Sequence, residues 1–397
     1  MASDTLLDDY YHTRELSAQL DSRPLRVMTK PGFAGWDTVG PAAELLLDAV
    51  GAAQCERLAL FGCGHGALAV ALARRMPGAR LALLDTSCVA LAMAEQTLAA
   101  NQVRSAGLAE GISLLPQGAG CYDGVVLNLP QGRALARRWL LEAYALLQPG
   151  ARLWLAGPNE LGIQSVADDA RALFGNLDLH GYRRKCRAVT AIRQEQSPPA
   201  PQWASQPGIA PGTWSRVPVV LAPGGPLVQL VSLAGVFSAD ELDHATALLL
   251  QHMPPLQGKQ VADAGCGYGV LGIAAALHGA AGVAMVDANV LAVASARENA
   301  ARLALDVTIE AGDGLAPLAA RRFDVILSNP PFHAGKRVSY NVADVFIHQS
   351  HALLRPSGKL AIVANRFIPY QRELGAVFGN CEVVAHTKSF HVLVATR

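Results

Sequence analysis

Asn329-Pro330-Pro331-Phe332 places an amide, proline carbonyls and an aromatic ring within four residues. Together they suit the capture of a flat base that carries an amino group. Carbonyl oxygens can accept its N–H groups, and the ring offers a stacking face. Two consecutive prolines cannot continue a sheet ladder and hold the chain extended, which stiffens the loop. Just upstream, Phe323-Asp324-Val325-Ile326-Leu327 reads as a buried strand. Asn329 is then expected at a strand's C-terminal end, where open α/β sheets bind their ligands. Taken alone, the segment also fits a strand end stopped by prolines.

A second constellation lies upstream. Asp263-Ala264-Gly265-Cys266-Gly267-Tyr268-Gly269 carries an apolar run into a glycine loop, and residues Gly267 to Gly272 satisfy GxGxxG. Asp287 follows at the distance expected of a ribose-binding acid, so an NAD enzyme is one reading. Asp263 argues for another, because a carboxylate at that strand end would repel a pyrophosphate and pair with a cationic amino-acid moiety. Asp313, within Gly312-Asp313-Gly314 after the strand-like run 307–311, supplies a further acid suited to the amino group of an adenine. The same glycines also fit plain strand-to-helix turns that hold no ligand.

The elements that would position these residues occur twice. Leu60-Phe61-Gly62-Cys63-Gly64-His65-Gly66 parallels Asp263 to Gly269, and Asp85 after an apolar run parallels Asp287. Asn128-Leu129-Pro130 stands where Asn329-Pro330-Pro331 stands, and Pro149-Gly150 matches Pro356-Ser357-Gly358. Four landmarks in one order at near-equal spacing predict a duplicated α/β domain, with a repeat too long for a solenoid. Strands alternating with helices predict a mostly parallel sheet covered on both faces. Glu382–His386 and Phe390–Thr396, joined by a short turn, predict a closing antiparallel hairpin. Between the copies, the Pro-, Gly- and Gln-rich stretch 197–226 predicts an extended linker and then a turn between short strands at 214–221 and 227–233. Ser238-Ala239-Asp240-Glu241 has capping-box spacing and predicts a helix with Leu242, Ala245, Leu248 and Leu249 on one face. The domain boundaries expected are 1–195, a linker and hairpin over 196–233, and 234–397.

Composition bounds the function. The 397 residues are 51% hydrophobic and 16% charged, enough core for two globular domains and too apolar for a disordered chain. Apolar runs end before membrane-spanning length, and no signal-peptide pattern opens the chain, so a cytoplasmic location without membrane association is expected. Seven cysteines without CxxC pairs predict neither a disulfide framework nor a zinc site. His348 and His351 share a helix face but lack a third ligand, so no metal is expected. Cys63 and Cys266 read as small buried residues. A net charge of +1 gives no overall basic footprint for nucleic acid. Contact with RNA would fall to local patches such as Arg183-Arg184-Lys185 with Arg187, Arg321-Arg322 or Lys336-Arg337, each of which also fits ordinary solvated surface.

The second half resembles the ribosomal-RNA guanine-N2 methyltransferases of the RsmC and RlmG type. It does so through Gly235-Val236-Phe237-Ser238, the loop from Asp263, Ser328-Asn329-Pro330-Pro331-Phe332-His333 and Val363-Ala364-Asn365-Arg366-Phe367. The first half is similar more loosely, through Lys30-Pro31-Gly32 and the loop at Gly62. The resemblance implies two tandem Rossmann-like class I methyltransferase domains, the first degenerate. It implies S-adenosylmethionine (SAM) as methyl donor, held by Phe237, Asp263, Gly265, Cys266, Gly267, Gly269, Asp287, Asp313 and Asn329. Asn329, Pro330, Pro331 and Phe332 would be the catalytic set, while Asn341, Asn365 and His333 adjoin it with less defined roles. Leu60 replaces Asp263 and Leu129-Pro130-Gln131 replaces Pro330-Pro331-Phe332 in the first copy, so only the second is expected to be active. The expected partner is ribosomal RNA, most simply small-subunit 16S rRNA or its subunit, and a monomer is expected. The NPPF loop also serves adenine and glutamine amides in related enzymes, so those substrates, large-subunit guanine, and a non-catalytic RNA-binding protein stay open at this point.

Overall fold

The computed structural model describes residues 2–109, 111–222, 224–330 and 338–397, with side chains described from residue 6 and, in the last stretch, from residue 344. Pro331, Phe332 and His333 therefore lie outside the described residues, as does the side chain of Asn341. The chain divides into two compact units, Thr13–Trp214 and Ser215–Arg397 together with Met1–His12. Helix α1 (Ala2–Tyr11) thus belongs to the second.

In the first unit, β1 (Arg14–Leu20) and β2 (Arg23–Thr29) form an antiparallel hairpin, followed by α2 (Pro41–Val50). Strands and helices then alternate through β3 (Arg57–Phe61), α3 (Ala67–Arg75), β4 (Arg80–Leu84), α4 (Cys88–Ala100) and β5 (Ala106–Leu108). After β6 (Tyr122–Asn128), α5 (Arg133–Leu146), β7 (Leu147–Pro158) and α6 (Ile163–Phe174), the hairpin of β8 (Asp178–Arg183) and β9 (Cys186–Ile192) closes the sheet. The second unit repeats the plan. A hairpin of β10 (Ser215–Val220) and β11 (Leu227–Ser232) precedes α7 (His244–Gln251). Then come β12 (Gln260–Ala264), α8 (Val270–Leu277), β13 (Gly282–Asp287), α9 (Val290–Arg302), β14 (Thr308–Ala311) and β15 (Phe323–Ser328). Helix α10 (Val338–Leu353), β16 (Leu354–Asn365), α11 (Tyr370–Phe378), β17 (Glu382–His386) and β18 (Phe390–Thr396) complete it.

Both sheets have seven strands in one order, β5-β4-β3-β6-β7-β9-β8 and β14-β13-β12-β15-β16-β18-β17. All pairs are parallel except those made by β9 and β18, which run antiparallel to both neighbours. This is the tandem Rossmann-like arrangement with a terminal hairpin that the sequence predicts. The apolar runs bury on both faces: Val283 to Val286, Val325 to Leu327 and Leu360 to Ala364 are all buried. Phe323, Ile326, Leu360, Ile362 and Leu393 form the centre of the second core. Chain order runs outward from β12 in both directions, toward β14 on one side and β16 on the other. That reversal opens a crevice beyond the carboxyl ends of β12 and β15. Two glycines let α8 approach the sheet there. Gly269 caps the helix at φ +95°, and a Cβ on Gly272 would lie 2.6 Å from Met285.

Two local expectations change. The helix expected to start at Ser238 starts at His244, with Asp243 as its cap: Thr246 N–H donates to Asp243 Oδ2 at 2.9 Å. Ser238 sits at φ +50°, away from the extended conformation in which a serine side chain caps a helix. The stretch expected to link the domains is shared between them, residues up to Trp214 falling in the first unit and the hairpin in the second. Trp203 explains the first part, being buried with the Arg137 guanidinium 5.1 Å over its ring. Asn299 explains the second. From α9 its Oδ1 accepts Val231 N–H at 2.7 Å, and its Nδ2 donates to the carbonyls of Val231 at 2.8 Å and Tyr268 at 2.9 Å. Asn299→Ala would strand three buried backbone groups, and we expect it to destabilise the second unit by roughly 3 kcal/mol. Urea unfolding of the full chain would read this as an earlier midpoint for the second unit alone.

Candidate active site

Three acids line the carboxyl edge of consecutive strands. Asp263 is in β12, Asp287 ends β13, and Asp313 follows β14, with neighbouring strands about 4.8 Å apart. Asp263 is 1% exposed. Its Oδ2 accepts Gly272 N–H at 2.7 Å, while its buried Oδ1 has no hydrogen-bond partner among the described residues. Burial pushes this carboxyl up to about 7, with the Gly272 N–H opposing the rise and nearby Asp287 adding to it. A cation donating to Oδ1 would remove both the charge penalty and the missing bond, so the position fits an ammonium group. Asp287 is differently placed. Its Oδ2 accepts Gly267 N–H at 2.8 Å and its Oδ1 accepts Asn289 N–H at 2.8 Å. Burial raises its carboxyl, and those N–H groups draw it back. Each oxygen keeps lone-pair capacity for a hydroxyl donor.

The glycine loop is held by backbone. Gly265 and Cys266 N–H groups both donate to the Val286 carbonyl, at 2.9 and 3.0 Å, and Gly265 and Gly267 adopt φ of +70° and +55°. Burial, then Asp287 and Asp263, push the Cys266 thiol well up, so it is an inert filler. Asn289 Nδ2 donates to the Gly235 carbonyl at 2.8 Å, which ties the segment carrying Phe237 to the loop after β13. Phe237 itself is 65% exposed. Asp313 Oδ1 accepts the Tyr10 hydroxyl at 2.7 Å.

Asn329 emerges from β15, anchored by Ser328 Oγ, which donates to the Ala264 carbonyl at 2.6 Å. Its Nδ2 donates to Asp243 Oδ2 at 3.0 Å and to Thr246 Oγ1 at 2.9 Å. Both amide protons are thereby used, and the orientation of the amide is fixed. Its Oδ1 is buried and without a partner among the described residues. An unpaired buried acceptor costs about 1–3 kcal/mol, and a donor bound in the crevice would recover it. Pro330 is buried beside it. Asp243 and Thr246 are the residues that sequence reasoning missed. The Asp-x-x-Thr cap was their only local signal, masked by the capping-box spacing at Ser238.

The first copy keeps the scaffold and loses the acceptors. Asp85 holds Gly64 N–H at 2.9 Å and Ser87 N–H at 3.0 Å, as Asp287 holds its loop. Leu60, fully buried, replaces Asp263. Asn128 turns its amide inward, donating to the Gly62 carbonyl at 3.3 Å. The N-cap of helix α2 is Gly40, which has no side chain to bond, so no counterpart of Asp243 stands there. In the second unit, the His351 ring packs edge-on to Phe378 at 4.9 Å, and burial, then Arg397 and His348, lower its affinity for a proton. No cluster of three metal-ligating side chains occurs among the described residues.

The family model for the methyltransferase small domain matches this chain twice, over residues 24–186 and 227–394. The chain belongs to this methyltransferase family. Both copies share the ancestry, and the acceptors distinguish them. Among the relatives, a Pseudomonas entomophila ribosomal RNA small subunit methyltransferase C is 36% identical over 279 residues, 70% of this chain and 80% of that protein. An Ectopseudomonas mendocina ribosomal RNA large subunit methyltransferase G is 33% identical over 349 residues, 86% of this chain and 88% of that protein. A solved T. thermophilus 16S rRNA guanine-N2 methyltransferase, RsmC, in complex with AdoMet and guanosine is 29% identical. It superposes with a TM-score of 0.80 over 98% of this chain and 99% of that one.

The Asp263 carboxyl generates a prediction whose sign is opposite to that of an ordinary surface aspartate. Its folded value of about 7 exceeds the reference 3.8, so the ligand-free fold loses stability as pH rises between these values. Asp263→Asn should therefore melt no lower than wild type at pH 8 without ligand. Its affinity for SAM should fall on the order of a hundredfold, because one partner of a buried charge pair is gone. Scanning calorimetry of the full chain checks the first and calorimetric titration with SAM the second, and tight residual binding would place a working site in the first copy. Wild-type affinity should also weaken, by up to about tenfold per unit, as pH drops below 7.

Proposed function

We propose that the second unit transfers the methyl group of S-adenosylmethionine to the exocyclic N2 amine of a guanine in small-subunit 16S rRNA, and that the first unit carries no transfer chemistry. The sulfonium of the donor supplies an activated methyl group. What the chain contributes is binding and aim. Asp263 Oδ1 accepts from the donor's ammonium, Asp287 from its ribose hydroxyls and Asp313 from its adenine amine. The observation that carries the reading is Asn329, an amide with both protons spent on Asp243 and Thr246 and its buried Oδ1 open to a donor.

An exocyclic amine is a poor nucleophile because its lone pair is delocalised into the ring. Accepting one N–H at Asn329 Oδ1 and the other at the Pro330 carbonyl favours a pyramidal nitrogen and points the lone pair at the methyl group. The methylated nitrogen is acidic and sheds its proton to water, so no strong base is required. To Phe332, by its place in the sequence, we assign stacking on the base, a contact worth roughly 1–3 kcal/mol. Such a pocket takes a base that is unpaired or flipped out of its helix. Phe367, 81% exposed just past the end of β16, offers a further stacking face on the same rim. The RsmC relative's complex with guanosine favours guanine over adenine or glutamine. The identity to small-subunit relatives favours 16S rRNA, although the large-subunit relative matches over more of the chain. Action on RNA or an assembling subunit in the cytoplasm, as a monomer, completes the proposal. Among the described residues, no helix is long and apolar enough to cross a membrane.

Asn329→Ala should abolish transfer, at least a thousandfold in kcat, while changing SAM affinity less than about threefold. The assay offers labelled SAM with naked 16S rRNA, 23S rRNA and each subunit, followed by mass spectrometry of the labelled nucleoside. Label in any nucleoside other than N2-methylguanosine, or wild-type turnover by the variant, would overturn the assignment.

A further inference from the structure

The second unit's cofactor rim includes a phenol from the far end of the chain. Helix α1 packs beside α10, and from its last turn Tyr10 donates to Asp313 Oδ1 at 2.7 Å across 303 residues of sequence. Tyr10 is 4% exposed. Its neighbour Tyr11 donates to the Asp313 carbonyl at 3.0 Å and accepts a hydrogen bond from Gln349 Nε2. Gln349 Oε1 in turn accepts Leu315 N–H at 3.0 Å. Burial, and then Asp313, raise the Tyr11 phenol, so it remains a protonated donor throughout the neutral range. The loop Asp313-Gly314-Leu315 is therefore gripped at a side chain, a carbonyl and an N–H by two tyrosines and a glutamine.

We infer that Tyr10 is a positioning residue for the adenine end of the cofactor site, fixing the carboxylate that selects the adenine amine. A carboxylate rotates about its terminal torsion with little hindrance, and that torsion is broad. A buried phenol on one oxygen sets the plane of the group, and its remaining lone pairs then point in one direction. Two oxygens with about four acceptor sites leave room for the amine beside the phenol. The consequence is that affinity for the donor and discrimination of its base depend on α1, although every acid of the site is in the C-terminal half. The inference rests on Asp313 meeting the adenine amine, as proposed above.

The test separates positioning from mere support. Full-length wild type, Tyr10→Phe and Asp313→Ala are titrated with S-adenosylhomocysteine and with S-inosylhomocysteine, whose ring carries a 6-oxo group in place of the amine. Tyr10→Phe, which keeps the ring and loses only the hydroxyl, should bind the adenosyl compound about five- to tenfold more weakly and the inosyl compound within about twofold. Equal losses for both ligands would mean a structural role only, and no loss would mean none. Either outcome overturns the inference. Asp313→Ala should erase the preference for the adenosyl ligand. If it does not, the adenine reading of Asp313 fails and the role of Tyr10 with it. If it does while Tyr10→Phe keeps the preference, the inference about the phenol fails alone.

Discussion

A carboxylate buried beside a glycine loop, with one oxygen unpaired, is the constraint around which the second unit is arranged. Asp263 holds α8 to the sheet through Gly272 N–H, so it cannot leave, and burial resists its charge. The fold supplies it with one hydrogen bond where two or three would be needed to stabilise the ion. Close by on the same sheet edge, Asn329 repeats the condition in neutral form, with a buried amide oxygen that meets no donor among the described residues. Both deficits lie at the carboxyl ends of β12 and β15, where the strand order reverses. The architecture thus leaves two acceptors short of a donor beside the glycine loop, while it pairs Asp287 with backbone N–H groups and Asp313 with the Tyr10 phenol.

The first unit shows what the same topology does without that constraint. Its strand order is identical and its loop is still gathered by an aspartate, yet Leu60 puts a buried apolar side chain where β12 carries its carboxylate. Asn128 spends an amide proton on the Gly62 carbonyl of the glycine loop. Nothing in that crevice is left short of a partner by these two positions. The fold itself does not require those acceptors, because the packed strands and helices carry the stability and a buried unpaired acceptor subtracts from it.

How much of this was legible in the sequence follows from the range of each interaction. Strands, glycine loops and the closing hairpin were readable because short apolar runs and turn residues encode them locally. The duplication was readable because landmarks repeat in order. Asp263, Asp287 and Asn329 could be placed on one rim because strand ends in such sheets share an edge. The grip on Asn329 was not readable, since Asp243 and Thr246 lie 86 and 83 residues away and act through a helix cap that competes with a better-looking one. Nor was the attachment of α1, whose sequence carries no sign of a partner three hundred residues on. Asn299 escaped notice for the same reason, a polar residue on a helix whose three bonds all reach across the fold.

The attachment of α1 also sets an order of events during synthesis. Tyr10 leaves the ribosome 303 residues ahead of Asp313, an interval of about 15–60 s at ordinary elongation rates. During that time the whole first unit can form, while the helix that will complete the second has nothing to dock on. Any chaperone or protease meeting the nascent chain therefore sees an amphipathic tyrosine-bearing segment held in waiting. The second unit closes only when its own last-made strands have emerged.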